Sequence, residues 1–225
     1  MTPPTPEPSA RFVHTRARAD DLGEIVALMY ESFSSLPQVA KLLMGCKSAA
    51  DFPKLVDLYT KSLEQDPTDL WTKVVDVHTG AIAAASNWKL YLRSARSQPR
   101  PLDEPPPWLE GEEAALSMAM LEPLNGPRIA MNQDPFLHLH ICFTSPAYRR
   151  RGLASKMVQW GCDLADLLSL PGWIEASMEG SLLYKQHGFY NVLDIVQNGE
   201  KQGICMRRDA VVGTLAARVD RPEFS

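Results

Sequence analysis

The sequence predicts an α+β or α/β sandwich, in which strands and helices are mixed along a chain of 225 residues. Segments with helical periodicity alternate with short segments rich in β-branched and aromatic residues, and turn residues separate them. The composition, 45% hydrophobic and 22% charged, is that of an ordinary folded protein. It excludes collagen, coiled coil and wholesale disorder.

The individual elements follow from periodicity and turn signals. Predicted strands cover residues 12–18, 70–77, 81–92, 137–143, 173–176, 192–196 and 203–207. A first helix is capped by Asp20 or Asp21, and further helices cover residues 48–65, 110–121, 155–168 and 182–187. The apolar face of the first helix is formed by Leu22, Ile25, Val26, Leu28, Met29 and Phe33.

Prolines mark the organisation of the chain, since nine of the 18 fall within residues 1–8 and 99–107. The first stretch has too little apolar content to order itself, so residues 1–10 are predicted to be a flexible tail. The second stretch cannot continue a helix or a central strand. We interpret residues 93–135 as an insertion within a single domain covering residues 11–215, followed by a tail at residues 216–225. Because long unstructured loops often cover a site, a lid over the acceptor is one hypothesis for this insertion.

Charge and cysteine usage limit the partners. Lys and Arg total 23 against 27 Asp and Glu, so the net charge of −4 favours neither nucleic acid nor anionic membrane. No secretory signal or membrane-spanning run is visible, which predicts a cytoplasmic protein. The four cysteines are widely spaced without a CxxC pair, so no metal site and no disulfide framework is predicted.

The most informative stretch is a buried strand, residues 137–143, that runs into an arginine-rich turn and then into a helix. The first turn of a helix has unpaired N–H groups and a partial positive charge, which together favour a phosphate. Gly152 and Ala154 leave room for a phosphate to approach the backbone. The spacing Arg-x-x-Gly-x-Ala over residues 149–154 resembles the acyl-CoA signature of the GCN5-related N-acetyltransferase (GNAT) superfamily.

A second motif lies downstream, where Leu183-Tyr184 and Gly188-Phe189 are similar to the LYxxxGF segment of the same superfamily. The resemblance implies a mixed, mostly antiparallel sheet of six to seven strands with helices on both faces, which splays near Phe143 to let the cofactor insert. It also implies acetyl-CoA as co-substrate. Where many members carry Asn and Ala before the tyrosine, this chain has Ser177 and Gly180. Acetyl-CoA binding is implied for Cys142, Phe143, Thr144, Arg149, Arg150, Arg151, Gly152, Leu153, Ala154, Ser155, Ser177 and Tyr184.

Two histidines narrow the resemblance further. His138 and His140 alternate along one predicted strand, so their side chains project from the same face, about 7 Å apart. Arylalkylamine N-acetyltransferases have a His-x-His at this distance before the phosphate-loop glycine. The resemblance therefore implies that His138 and His140 accept the proton of a small, arylalkyl primary amine and that Tyr184 acts as the acid.

These residue types suit the chemistry. An alkylamine with a pKa of about 10.4 attacks only as the free base, and removing its proton near pH 7 costs roughly 4 to 5 kcal/mol. Histidine, with an ordinary pKa of about 6.5, can take that proton directly or through water. A tyrosine, with a pKa of about 10, can protonate the departing thiolate, so no covalent enzyme intermediate is needed.

Several alternatives remain open at this stage. Glu175 and Glu179 are second choices for the base, and both histidines can instead be structural. Trp88, Tyr91 and Trp108 are candidates for lining an aromatic-accepting pocket, and the alternative is core packing for Trp88 and a surface anchor for Trp108. A peptide, protein or polyamine acceptor is a rival substrate, and a non-catalytic acyl-CoA sensor is a rival function. The chain is predicted to be a monomer or a homodimer.

Overall fold

The computed structural model describes residues 11–100, 103–197 and 199–211. The predicted tails at residues 1–10 and 216–225 lie outside this range. The strands are β1 (Phe12–Arg16), β2 (Asp69–Asp76), β3 (Ile82–Tyr91), β4 (Phe136–Thr144), β5 (Gly172–Ser177), β6 (Tyr190–Gln197) and β7 (Glu200–Arg208). The helices are α1 (Leu22–Ser32), α2 (Phe52–Gln65), α3 (Gly111–Met131), α4 (Leu153–Leu167) and α5 (Ser181–Gln186). All seven predicted strands are therefore confirmed, with small shifts at their ends.

The strands form one seven-stranded sheet in the order β1-β2-β3-β4-β5-β7-β6. β4 and β5 are parallel, and their register joins Leu137–Leu139 with Gly172–Ile174. The pairings of β1 with β2, β2 with β3, β5 with β7, and β6 with β7 are antiparallel. This confirms the expected mixed, mostly antiparallel sheet flanked by helices. No helix in the described part of the chain has the length and apolar character needed to cross a membrane.

The chain divides into two compact units. The first contains the described residues up to Lys89 together with Arg100–Glu122 and His140–Met157. The second contains Leu90–Pro99, Pro123–Leu139 and the described residues from Val158 onward. Since the divisions fall inside elements such as β4 and α4, the single domain proposed from the sequence stays a prediction.

The core of the first unit is built by the apolar faces of α1 and α2. Five of the six positions predicted for the inner face of α1 are buried, and Phe33 is partly buried. They pack with Leu55 and Tyr59 of α2 and with Trp71 of β2. Asp21 precedes α1 as predicted, but its carboxylate accepts from the Arg18 amide and pairs with Lys73 instead of capping the helix.

The insertion is ordered in the described residues, and most of it is helix. α3 runs to Met131, ten residues beyond its predicted end, and includes Pro123 and Pro127. A proline inside a helix costs about 3 kcal/mol. In the second unit Leu124 and Ile129 pack against the core formed around Tyr91, Phe136 and Trp173, and this burial favours the continued helix. Tertiary contacts thus override the local signal that predicted the helix to stop.

Within the first unit, the start of the insertion is attached to the segment after α1. The Trp108 indole donates to the carbonyl oxygen of Gly45 at 2.8 Å, and the Ser117 hydroxyl donates to that of Leu42 at 2.7 Å. The carboxylate of Glu113 pairs with both Lys41, at 3.2 Å, and Lys47, at 2.9 Å. These bonds hold residues 108–117 against residues 41–47.

This attachment predicts an unequal response at two left-handed glycines. Gly45 (φ +65) and Gly80 (φ +76) share a backbone conformation that disfavours a side chain by about 1 to 2 kcal/mol. A Cβ at Gly45 would lie 2.5 Å from the Trp108 Nε1, whereas a Cβ at Gly80 meets nothing within 4 Å. We expect Gly45→Ala to lower the free energy of unfolding by about 1 to 3 kcal/mol more than Gly80→Ala. Urea denaturation of both variants measures this difference, and equal losses would contradict the role of Trp108.

Candidate active site

The predicted phosphate loop joins β4 to α4 in the first unit. A 3-10 turn at Pro146–Tyr148 follows β4, and the first helical bond of α4 runs from the Lys156 amide to the Gly152 carbonyl at 3.0 Å. Arg150 (φ 63) and Gly152 (φ 76) are both left-handed, which is uncommon for arginine. Strained backbone of this kind is concentrated at functional sites. The amides of Leu153, Ala154 and Ser155 belong to the first helical turn, where helices lack internal acceptors.

Two arginines of the loop bind backbone oxygens. Arg149 donates to the carbonyl of Ser32 at 3.1 Å and to that of Thr144 at 3.4 Å. Arg151 donates to the Ala147 carbonyl at 3.4 Å. Their guanidinium groups therefore hold the loop in shape, while all three arginines and Gly152 remain exposed. A Cβ at Gly152 would meet nothing within 4 Å, so the backbone here is open to an approaching anion.

Residues 140–144, at the end of β4, lead into the loop. Phe143 is buried, and its ring meets that of Phe33 at a centroid distance of 6.3 Å. Burial raises the pKa of the Cys142 thiol to about 12, so this thiol stays neutral and is no nucleophile near pH 7. The Thr144 carbonyl accepts from Arg149 and from the Ser32 hydroxyl. His140, also in this unit, is half-buried on β4.

His138 lies in the second unit and is only 1% exposed. Its Nε2 lies 2.7 Å from Oε2 of Glu175, the residue that sequence analysis kept as a second choice for the base. The rings of Tyr91 and Phe136 stack at 4.4 Å and lie 6.3 and 6.5 Å from the His138 ring. Two candidates that are 37 residues apart in sequence therefore form one buried pair beside aromatic rings.

Glu175 is held as a carboxylate by three partners. Trp173 donates its indole N–H to Oε1 at 2.6 Å, and Arg128 Nη1 lies 3.6 Å from Oε2. Burial by itself raises the pKa of Glu175, but the charges of His138 and Arg128, with hydrogen bonds from His138 and Trp173, outweigh it. The net effect lowers the pKa of Glu175 to about 2. Glu175 therefore stays ionised at any pH at which an amine acceptor would be tested.

Tyr184 lies on α5 and is 8% exposed, with its ring edge-on to that of Phe189 at 6.1 Å. Ser177 ends β5 and accepts from the Gly180 amide at 3.0 Å, so its hydroxyl shapes the turn before α5. Glu179 is exposed in the same turn. The LYxxxGF segment thus forms a compact helix and turn, with the Phe189 amide donating to the Tyr184 carbonyl at 3.1 Å.

A cavity of about 410 Å³ lies in the first unit. Its lining comes from the end of α1 and the residues that follow it, namely Tyr30, Ser34, Pro37, Ala40, Lys41, Cys46 and Lys47. Lys41 and Lys47 are the residues that Glu113 of the insertion binds. Its volume is within the range of small-molecule sites. By contrast, Trp88 and Tyr91 are fully buried, which favours the core role for both.

The sequence profile of the acetyltransferase (GNAT) family matches residues 90–189, the stretch that contains the loop, the His138–Glu175 pair and Tyr184. Over these residues the chain matches the GNAT acetyltransferases. GNAT acetyltransferases take their acetyl group from acetyl-CoA, and this acetyltransferase contains the loop expected to bind it. No curated protein sequence matches the chain.

Solved structures agree on the fold. Arylalkylamine N-acetyltransferase 2 from Aedes aegypti is 10% identical with a TM-score of 0.63, and covers 89% of this chain and 99% of its own. A histone acetyltransferase HPA2 and related acetyltransferase from Corynebacterium glutamicum is 16% identical with a TM-score of 0.59, over 91% and 99%. PaiA N-acetyltransferase from Thermoplasma acidophilum, in complex with coenzyme A, is 8% identical with a TM-score of 0.50, over 88% and 98%.

The contacts of Arg128 and Trp173 with Glu175 are not predicted by the sequence of this acetyltransferase. Arg128 follows Pro127 in the insertion, a context that predicts a loop, and its partner lies 47 residues later on β5. Trp173 was predicted only as a strand residue. No local signal indicates either role, because the contact exists only once α3, β4 and β5 have come together. Within the described residues, no three His, Cys, Asp or Glu side chains are grouped so as to hold a metal ion.

The lowered pKa of Glu175 predicts a specific acid sensitivity. A carboxyl whose pKa falls on folding stabilises the protein above its unfolded pKa, and that contribution is lost as the pH drops. For Glu175 the window lies between its ordinary value of 4.5 and about 2. We expect wild-type protein to lose on the order of 3 kcal/mol of unfolding free energy there through this group. Glu175→Gln removes that component.

Urea denaturation at several pH values across this window measures the difference in slope. Glu200→Gln is the matched control, because Glu200 is exposed at the start of β7. It should keep the wild-type slope. Parallel curves for wild type and Glu175→Gln would show that the carboxylate is not held ionised by its neighbours.

Proposed function

We propose that this acetyltransferase moves the acetyl group of acetyl-CoA to the primary amine of a small, arylalkyl acceptor. The observation that supports this most is the buried pair of His138 and Glu175 on strands next to the tyrosine-bearing segment. An imidazole and a carboxylate with only 1% and 9% of their side chains exposed are costly to bury unless they serve a purpose. Proton transfer from an amine is the purpose that the superfamily's reaction supplies.

We assign the proton-accepting role to His138 and His140. His140 is the more exposed of the two, so it is the group that meets the amine or its bound water. His138 is buried, so a proton reaches it through water. Deprotonation of the amine near neutral pH costs roughly 4 to 5 kcal/mol, and a nearby imidazole lowers this barrier.

We assign Tyr184 as the acid that protonates the departing sulfur. The turn before α5, built by the hydrogen bond between Ser177 and Gly180, fixes where the helix that carries Tyr184 begins. Acetyl-CoA supplies an activated thioester when bound. The backbone of Cys142, Phe143 and Thr144 would bind its pantetheine arm, and the amides from Arg150 to Ser155 would bind its pyrophosphate, with Arg149 holding the loop.

We propose in addition that the acceptor amine is small. The 410 Å³ cavity has a volume suited to a small molecule, and its wall is tied to the insertion by Glu113. We propose that the acceptor amine binds in this cavity, whose volume favours a small amine over a peptide. The similarity to an arylalkylamine N-acetyltransferase structure adds to this support at the level of the fold.

Turnover with a panel of amines tests the proposal. We expect thiol release from acetyl-CoA with tryptamine, serotonin and phenethylamine to exceed that with spermidine and a lysine-rich peptide. His140→Gln should reduce kcat/KM by roughly 10²-fold or more, most strongly at acidic to neutral pH where the amine is fully protonated. Tyr184→Phe should reduce turnover while leaving acetyl-CoA affinity within about twofold of wild type.

Preference for the lysine-rich peptide would replace the small acceptor with a protein acceptor. Tight binding of acetyl-CoA with no turnover, unaffected by changes at His138, His140 and Tyr184, would support the sensor alternative instead.

Binding of acetyl-CoA has a separate test at Gly152. Gly152 and Gly80 have the same φ of +76, and a Cβ at either position meets nothing within 4 Å. Gly152→Ala and Gly80→Ala should therefore lose similar stability, by about 1 to 2 kcal/mol. Only Gly152→Ala should weaken acetyl-CoA binding, by roughly tenfold or more, because its methyl group lies where the pyrophosphate approaches. Calorimetry measures the affinity of both variants for acetyl-CoA. Equal affinities would contradict binding of the pyrophosphate at this loop.

A further inference from the structure

Glu175 on β5 places a buried carboxylate among three polar side chains. It accepts hydrogen bonds from His138 and Trp173 and lies beside Arg128. Only 9% of its side chain is exposed. A carboxylate in such a position is costly to bury, and its removal would take one polar partner from each of the three side chains around it. The contact with His138 links this cost to the reaction.

We propose that Glu175 is a positioning residue that fixes the tautomer of His138 and stabilises its protonated form, and that Arg128 limits how strongly it does so. This inference rests on the proposed function, because it assigns His138 as a proton acceptor. Neither residue touches the acceptor amine in this role. Both act through the imidazole.

The tautomer follows from hydrogen-bond chemistry. An ionised carboxylate has no proton to donate, so the 2.7 Å contact requires the proton to be on Nε2 of His138. In the neutral ring Nδ1 then carries the lone pair that accepts a proton. When it does so, the imidazolium forms beside an existing negative charge. This is the division of roles seen between the aspartate and histidine of serine protease triads.

Arg128 explains why Glu175 does not keep His138 permanently protonated. Its Nη1 lies 3.6 Å from the same Oε2 that His138 contacts, so part of the charge on Glu175 is already compensated. The Arg128 guanidinium also donates to Asn125 at 2.8 Å, and the Asn132 amide donates to the Arg128 carbonyl at 2.9 Å. These bonds hold Arg128 in place at the end of α3.

Two further titratable side chains, Cys205 and Tyr91, belong to this cluster. Cys205 faces Glu175 across the β5–β7 register, and burial together with Glu175 raises the pKa of its thiol to about 12. Tyr91 on β3 presents its ring at 6.3 Å from the His138 ring. Trp173 donates a hydrogen bond without carrying charge. The charged groups around His138 that the proposal uses are therefore Glu175 and Arg128.

The tautomer can be measured without any assay of activity. Two-dimensional ¹⁵N–¹H NMR of histidine-labelled protein distinguishes the two ring nitrogens, and His138→Gln assigns the signal among five histidines. We expect the Nε2–H tautomer for His138 in wild type and in the control Glu200→Gln. In Glu175→Gln the neutral ring should become a mixture. An Nδ1–H tautomer in the wild type would overturn the proposal.

The pH dependence of kcat/KM provides the second arm, and the two variants are expected to act in opposite directions. Glu175→Gln removes the charge that stabilises the imidazolium, so the acidic limb should move to lower pH and the plateau should fall by roughly tenfold or more. Arg128→Gln leaves the carboxylate uncompensated, so the acidic limb should move to higher pH. Glu175→Asp keeps the charge and should keep the limb close to that of wild type.

A purely structural role predicts a different pattern. Both variants would then lower the amount of folded enzyme and leave the limb where it is, which would overturn the proposal. If Glu175→Gln does not fold, Arg128→Gln and Glu175→Asp still decide the direction of the shift. Wild type without turnover on any amine would instead overturn the proposed function, and the NMR tautomer would still decide the assignment of Glu175.

Discussion

A buried carboxylate must be matched by donors, and in the second unit this requirement determines which elements come together. Glu175 has an indole and an imidazole within hydrogen-bond distance and a guanidinium nearby, from β5, β4 and α3 respectively. Displacement of any one of these elements would break its contact with the buried carboxylate, which is costly. The stacked rings of Tyr91 and Phe136 then cover the imidazole. Packing and electrostatics therefore place His138 within narrow limits, which is what an acid–base group needs.

In the first unit the corresponding constraint is the sharp turn between β4 and the exposed start of α4. A helix N-terminus attracts phosphate through its dipole and its free N–H groups, but the chain that leads into it must be turned sharply. The left-handed backbone at Arg150 and Gly152 provides that turn, and Arg149 and Arg151 fix it by binding carbonyl oxygens nearby. Two arginines that the resemblance assigns to phosphate binding thus shape the loop through their bonds to carbonyl oxygens.

The solved structures share the fold of this chain but few of its side chains. At 8% to 16% identity, neighbours cover nearly nine-tenths or more of this chain, so the arrangement of strands and helices is retained while most side chains differ. Function then depends on the few positions that perform the chemistry. In this chain we propose that those positions include Glu175 and Arg128, which only the spatial arrangement brings beside His138.

The sequence by itself determined the seven strands, the faces of α1 and α2, and the loop after β4, because each depends on local periodicity or on a turn that one segment can specify. It also indicated His138, His140, Glu175 and Tyr184 as candidates. Only the tertiary structure decided that α3 continues through Pro123 and Pro127 and that Arg128, His138 and Trp173 meet at one carboxylate. The physical reason is that a proline's local cost and a buried charge's partners are settled by contacts between distant segments, and no single segment of the sequence contains them.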